Sequence, residues 1–205
     1  MKLLASLASP YTRKVRVVLA EKKIDCDLEL VDVQPVENAV NPYNPLGKIP
    51  TLVLDDGAAL YDSRVIVEFL DAVSPISRLI PDDMRERIAV RRWEALADGV
   101  TDAGLLVRSE SLRDKKERSK AWSDKQLARM KRGMAQMAAE LGERTWCLNE
   151  KYSLADIAVG SCVGWLDFRK PGDVDWHGEY EPLARHYTRL MERPAFAETV
   201  PQLPK

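Results

Sequence analysis

Along roughly the first eighty positions the spacing of apolar residues changes repeatedly, from a short run to helical spacing to alternation. Residues 3–6 form a short apolar run, the pattern of a buried strand, and residues 10–23 carry Val15, Val18 and Leu19 at the spacing of one helix face. The same periodicity predicts Arg13, Lys14 and Lys22 on the outward face. Ser9 suits the N-cap of this helix, and Pro10 in its first turn loses no needed N–H. Residues 26–33 alternate apolar and acidic positions, as a half-buried strand does. Asn41-Pro42-Tyr43-Asn44-Pro45-Leu46-Gly47 can only be loop. Residues 49–54 then read as a strand, Asp55-Asp56-Gly57 as a turn, and 59–61 as the returning arm of a hairpin. Asp62-Ser63 opens a helix carrying Val65, Ile66, Phe69 and Leu70.

The order is therefore βαβ followed by ββα. A helix between the first two strands implies a parallel pair with a right-handed crossover, which is a thioredoxin-like α/β arrangement. Residues 74–82 punctuate the chain with prolines and read as a linker. Beyond them every pattern is helical. Ala89, Trp93, Leu96, Val100, Gly104 and Val107 recur at three- and four-residue spacing, as do Leu127, Met130, Met134, Met137 and Leu141. Ser153-Leu154-Ala155-Asp156 is a capping box opening a segment, through Phe168, that is apolar nearly all round and so belongs inside a bundle. The expected domains are 1–80, α/β, and 84–205, all-helical.

Composition excludes more than it selects. Lys and Arg number 31 against 32 Asp and Glu, a net charge of −1, so no basic excess marks a nucleic-acid binder. No apolar stretch reaches the ~20 residues of a membrane span. The apolar N-terminal segment is too short for a secretory signal and its cations follow rather than precede it, which points to the cytoplasm. Cys26, Cys147 and Cys162 are few and scattered, suggesting neither a disulfide framework nor a zinc knuckle. With only His177 and His186 present, no histidine-based metal site is expected.

The chemistry concentrates at the first strand-to-helix junction, where ligands of βα units gather. Ser9-Pro10-Tyr11-Thr12 looks like the Cys-Pro-Tyr-Cys site of glutaredoxins with both cysteines replaced by hydroxyl residues. Without a thiol, disulfide exchange by the chain itself is excluded there. A hydroxyl at a helix N-terminus is either a plain cap or a place that stabilises an anion, including a bound thiolate. Lowering a thiol pKa from about 8.5 to about 6.5 requires roughly 2.7 kcal/mol, and a hydrogen bond to a charged group contributes about 1.5–3 kcal/mol. A cis proline at Pro50 would turn the Ile49 backbone outward, ready to pair with an extended peptide. Asp62-Ser63 adds a second helix N-terminus and a carboxylate for an ammonium group. A peptide with a thiol, a carboxylate and an amino group fits all three, and glutathione has them.

At this point the chain resembles the cytosolic glutathione S-transferase superfamily along essentially its whole length, as a bacterial member with a serine-type site. The matching pieces are Ser9-Pro10-Tyr11 with Arg13-Lys14-Val15-Arg16, Asn44-Pro45-Leu46-Gly47-Lys48-Ile49-Pro50, Asp62-Ser63, the Ser153 capping box, and Arg193-Pro194-Ala195-Phe196. The resemblance implies a thioredoxin-like domain, a helical domain, a homodimer, and glutathione as cosubstrate for attack on a small electrophile. It implies that Ser9 holds the thiolate, that Ile49 and Pro50 meet the cysteinyl backbone, that Lys48 meets the glycyl carboxylate, and that Asp62 and Ser63 hold the γ-glutamyl end. Family members often carry Glu or Gln where Asp62 stands, so its shorter reach is a departure. Tyr11, Trp93, Asp98, Asp102 and Arg169 are candidate walls of an electrophile pocket between the domains, with core or surface roles as the alternative for the last four. Other roles on the same fold are glutathione-dependent isomerisation, disulfide reduction, or a non-catalytic interaction module such as the stringent-starvation branch.

Overall fold

The computed structural model describes residues 1–148 and 151–203. It divides into two compact units, one formed by residues 1–80 together with the segment from Arg193 onward, the other by Pro81–Glu192.

In the first unit, β1 (Lys2–Ala5), β2 (Asp27–Leu30), β3 (Thr51–Val53) and β4 (Ala59–Leu60) form one sheet in the order β2-β1-β3-β4. β1 runs parallel to β2, across the crossover helix α1 (Pro10–Glu21), and antiparallel to β3, which pairs antiparallel with β4. Helix α2 (Ser63–Val73) follows β4. Leu3, Leu4, Ala5, Val15, Val18, Leu52, Ile66 and Leu70 are buried and supply the core. Each Leu, Val or Ile among them contributes about 1.5–3 kcal/mol on burial.

Two expectations fail here for identifiable reasons. Arg13, Lys14 and Lys22 are each 1% exposed rather than outward. The Arg13 guanidinium donates to the Phe196 carbonyl at 3.2 Å and lies over the Phe196 ring, while Lys22 Nζ donates to Asp71 Oδ1 at 2.9 Å and to the Ser77 carbonyl at 3.1 Å. The Asp71 carboxylate in turn accepts the backbone N–H groups of Leu79 and Ile80. Long cationic side chains on a buried face thus find compensating acceptors, which periodicity does not reveal. Second, β2 is exposed at all four positions instead of half-buried, because neither of its faces is covered. The expected second domain also loses its end. Helix α8 (Pro194–Ala197) belongs with the first unit, where Arg193 makes paired 2.8 Å contacts to Glu21 and Gln202 N–H reaches the Leu7 carbonyl.

The second unit contains α3 (Met84–Leu112), α4 (Lys120–Leu141), α5 (Leu154–Arg169), the short α6 (Trp176–Glu179) and α7 (Glu181–Met191). Trp93, Met130, Met134, Met137, Trp165 and Trp176 share its core, so the methionine series packs as its spacing predicts. Gly133 lets α4 approach α3, since a Cβ there would stand 2.3 Å from Val100 Cγ2. Every residue of α5 from Leu154 to Leu166 is buried. Its capping box is formed: Ser153 Oγ accepts the Ala155 N–H, and Asp156 returns a carboxylate oxygen to the Ser153 N–H at 2.8 Å. Among the described residues no helix is long and apolar enough to cross a membrane.

Candidate functional site

Strand register brings the candidate residues of the first unit to one end of the sheet. Leu4 opposes Thr51 and Leu52 opposes Leu60. The chain after β1, the chain before β3 and the chain after β4 therefore leave the sheet on the same side, carrying Ser9, Lys48-Ile49-Pro50 and Asp62-Ser63 respectively.

Ser9 is the N-cap of α1. Its backbone is extended (φ −84°, ψ 127°) and its Oγ accepts the Thr12 N–H at 3.2 Å. That bond uses a lone pair of the hydroxyl and leaves its O–H as a donor. No acidic residue occupies the first turn of α1, so the positive end of the helix is not offset from within. Tyr11, half-buried, sits in that first turn.

The segment before β3 is held rigidly from below. Asn44, 2% exposed, donates to the Lys48 carbonyl at 2.9 Å and to Thr51 Oγ1 at 3.2 Å, while Thr51 Oγ1 donates to the same carbonyl at 2.9 Å. The Asn44 Oδ1 accepts the Leu46 N–H. Gly47 has φ +60°, and a Cβ there would stand 2.9 Å from Asn41 Oδ1, so the turn demands glycine. The Ile49–Pro50 peptide is cis, and the β1–β3 ladder starts only at Thr51. Lys48 is exposed and Ile49 half-buried. Asn44 and Thr51 are not among the sequence candidates; Asn44 stands in a loop and opens one of the matching pieces with no role of its own, and its pairing with Thr51 depends on the fold.

Asp62 caps α2 by accepting the Arg64 N–H at 3.1 Å, and the Arg64 guanidinium approaches the same carboxylate to 2.6 Å. Burial alone would raise this carboxyl, but the hydrogen bonds from Arg64 outweigh it and hold Asp62 below its ordinary range. The carboxylate is thus already shared with a cation, where the sequence suggested an unengaged one. Ser63, next to it, is buried.

The four candidates of the second unit do not form one surface. Trp93 is 1% exposed and belongs to the helical core, the alternative to a pocket wall that its helical spacing also offered. Asp98 and Asp102, four residues apart on α3, share a face that is turned about 140° and 180° from Trp93 at roughly 100° per residue. Arg169 lies at the end of α5 with its guanidinium over the Phe168 ring at 4.4 Å, and burial, then the neighbouring Arg108, lowers its pKa.

Comparison with known proteins agrees with this geometry. Residues 8–73 match the family model of the glutathione S-transferase N-terminal domain, and residues 120–189 match that of the C-terminal domain. The chain is 34% identical over 205 residues to the uncharacterized GST-like protein YibF of Escherichia coli K12, covering 98% of both chains. It is 28% identical to a stringent starvation protein A homolog of Pasteurella multocida, over 98% of this chain and 90% of that one. Among solved structures, a glutathione S-transferase from Methylobacillus flagellatus KT with glutathione bound superposes with a TM-score of 0.95 at 52% identity, over 98% and 99% of the two chains.

Proposed function

The chain belongs to the glutathione S-transferase family, and from that premise we propose that it is a glutathione transferase that presents the glutathione thiolate to a small electrophile. The observation that carries this is the Ser9 hydroxyl: its lone pair is engaged by the Thr12 N–H and its O–H is left to donate at the start of α1. A thiolate placed there gains one hydrogen bond to a charged acceptor and the field of the helix end, together about 2–4 kcal/mol. That matches the roughly 2.7 kcal/mol needed to ionise the thiol two pH units earlier. Since no cysteine stands at Ser9, the sulfur comes from the cosubstrate.

The other roles follow from the same end of the sheet. Ile49, held ahead of β3 by the Asn44–Thr51 bonds, pairs its backbone with the cysteinyl unit of glutathione beside Pro50. Lys48 meets the glycyl carboxylate. Asp62 takes the γ-glutamyl ammonium on the carboxylate that it shares with Arg64, and Ser63 at the start of α2 takes the adjoining carboxylate. Tyr11, in the first turn of α1, faces the electrophile. A homodimer is the proposed assembly and the cytoplasm the proposed compartment. The glutathione bound in the Methylobacillus relative supports the choice of ligand.

Calorimetric titration with glutathione, followed by a panel of aryl halides, enones and mixed disulfides, tests the proposal. Saturable one-site binding with glutathione-dependent conjugation is expected; binding without turnover, or turnover only of disulfides, would replace it. The similarity to a stringent starvation protein A homolog favours one second reading, a protein-interaction role. Under that reading the chain passes through immobilised glutathione unretained.

A further inference from the structure

We propose that Cys147, Asp156 and His186 form a zinc-binding site inside the helical unit. The three come from the stretch before α5, the first turn of α5, and α7, and their spacing in sequence forms no metal motif. The fold nevertheless brings one sulfur, one carboxylate oxygen and one imidazole nitrogen within 4.8 Å of one another, with all three residues buried. Cys147 Sγ stands 4.0 Å from His186 Nε2, and His186 Nε2 stands 3.4 Å from Asp156 Oδ1.

These separations are close to those a tetrahedral zinc ion imposes. With bonds of about 2.3 Å to sulfur and about 2.0–2.2 Å to nitrogen and oxygen, two ligands lie roughly 3.3–3.6 Å apart. The imidazole–carboxylate pair is already there, the thiol has a few tenths of an ångström to close on the imidazole, and it stands within 4.8 Å of the carboxylate oxygen. A mixed sulfur, nitrogen and oxygen set suits zinc rather than calcium or magnesium, which take oxygen ligands. Charge agrees as well: one thiolate and one carboxylate neutralise a divalent ion, so the loaded site adds no net charge to a buried core. On binding, the Cys147 sulfur exchanges its proton for the metal and the proton leaves to solvent.

The ligands are also held by a surrounding shell of bonds. Asp156 Oδ1 accepts the Cys147 N–H at 2.8 Å, and Oδ2 accepts the Ser153 N–H at 2.8 Å and the Ser153 hydroxyl at 3.2 Å. Arg144 donates to the Cys147 carbonyl at 3.2 Å, and the Trp146 ring stands edge-on to the imidazole at 6.0 Å. The bonds to Asp156 fix the direction of its carboxylate before a metal arrives. The capping box of α5 thereby acquires a second use, in orienting a carboxylate ligand.

The test uses the full chain, stripped with a chelator, incubated with a small excess of zinc sulfate and desalted. About one zinc per chain is expected in the wild type and in Cys26→Ser, and much less in Cys147→Ser. His186→Gln should weaken zinc binding by more than the about 10–100-fold that loss of an outer partner costs, measured in competition with a chromophoric chelator. Cobalt in place of zinc should give the wild type a thiolate-to-metal charge-transfer band and intense tetrahedral visible bands, a readout that needs no variant to fold. A wild-type chain that retains no zinc, or whose cobalt spectrum lacks the thiolate band, overturns the assignment. So does Cys147→Ser holding as much zinc as the wild type.

Discussion

Leu4 on β1 lies directly opposite Thr51 on β3. This pairing places the loop that ends at Ser9 beside the turn that carries Lys48, Ile49 and Pro50, and it is the step by which local sequence becomes a site. Thr51 has a second task, since its hydroxyl and the Asn44 amide both donate to the Lys48 carbonyl. A β-strand residue therefore holds both the sheet register and the loop proposed to contact glutathione.

Gly47→Ala tests that scaffold. The residue is left-handed at φ +60° and its new methyl would press on Asn41 Oδ1. A loss of about 1–2 kcal/mol in stability is expected, with glutathione affinity falling alongside it. Chemical denaturation and calorimetry on the same variant measure the two effects.

Asp62→Asn keeps an acceptor for the cap of α2 but removes the negative charge. Loss of a charge-assisted bond to the glutathione ammonium should weaken binding about 10–100-fold, from about 1.5–3 kcal/mol. Because Arg64 holds Asp62 below the usual carboxylate range, the wild-type contribution persists across neutral pH and fades only as pH falls through that lowered value. Affinity measured at neutral and acid pH should converge on that of the variant only at the acid end.

Lys22→Met should be among the most damaging single changes in the first unit. It leaves the Asp71 carboxylate, 4% exposed, without its cation, and breaking one side of a buried pair costs about 3–5 kcal/mol. Pairing it with Asp71→Leu should recover part of the loss. Urea unfolding of both variants decides; a change below about 1 kcal/mol in the single variant would contradict the pairing.

The pair Arg92–Glu140 predicts an acid limb in stability. Hydrogen bonding to Arg92, against a smaller opposing effect of burial, lowers Glu140 from 4.5 to about 2. A carboxyl depressed in the folded state stabilises above its unfolded pKa and loses that contribution as pH falls through the folded value. Since the Arg92 side chain is 54% exposed, the contribution is about 1 kcal/mol or less. The stability gap between wild type and Glu140→Gln should accordingly be present at about pH 6 and vanish by about pH 2.

Most of the architecture was legible along the chain because the elements advertise their ends. Ser9-Pro10 starts α1, Asp62 starts α2, and Ser153 with Asp156 starts α5, each through a cap whose chemistry is local. What stayed hidden depends on partners distant in sequence. Lys22 reads as a surface cation until Asp71 is known to face it, and Arg13 until Phe196 returns from the end of the chain. Alternation in β2 reports two faces but not whether anything covers either, and Leu28 and Leu30 prove exposed. Trp93 shows the same limit: helical spacing makes a stripe, and only packing says that its stripe is core. In the site, the end of the sheet on which Ser9, Ile49 and Asp62 gather was foreseeable from topology, whereas the Asn44–Thr51 support beneath it was not.

The central claim, that Ser9 ionises a bound thiol, is tested most directly by following the ultraviolet absorbance of the glutathione thiolate against pH in complex with the chain. Binding to the wild type should lower the thiol pKa from about 8.5 to about 6.5, and Ser9→Ala should return most of that shift while glutathione still binds. A bound thiol that titrates as it does in free solution, or an equal shift in Ser9→Ala, would contradict the account.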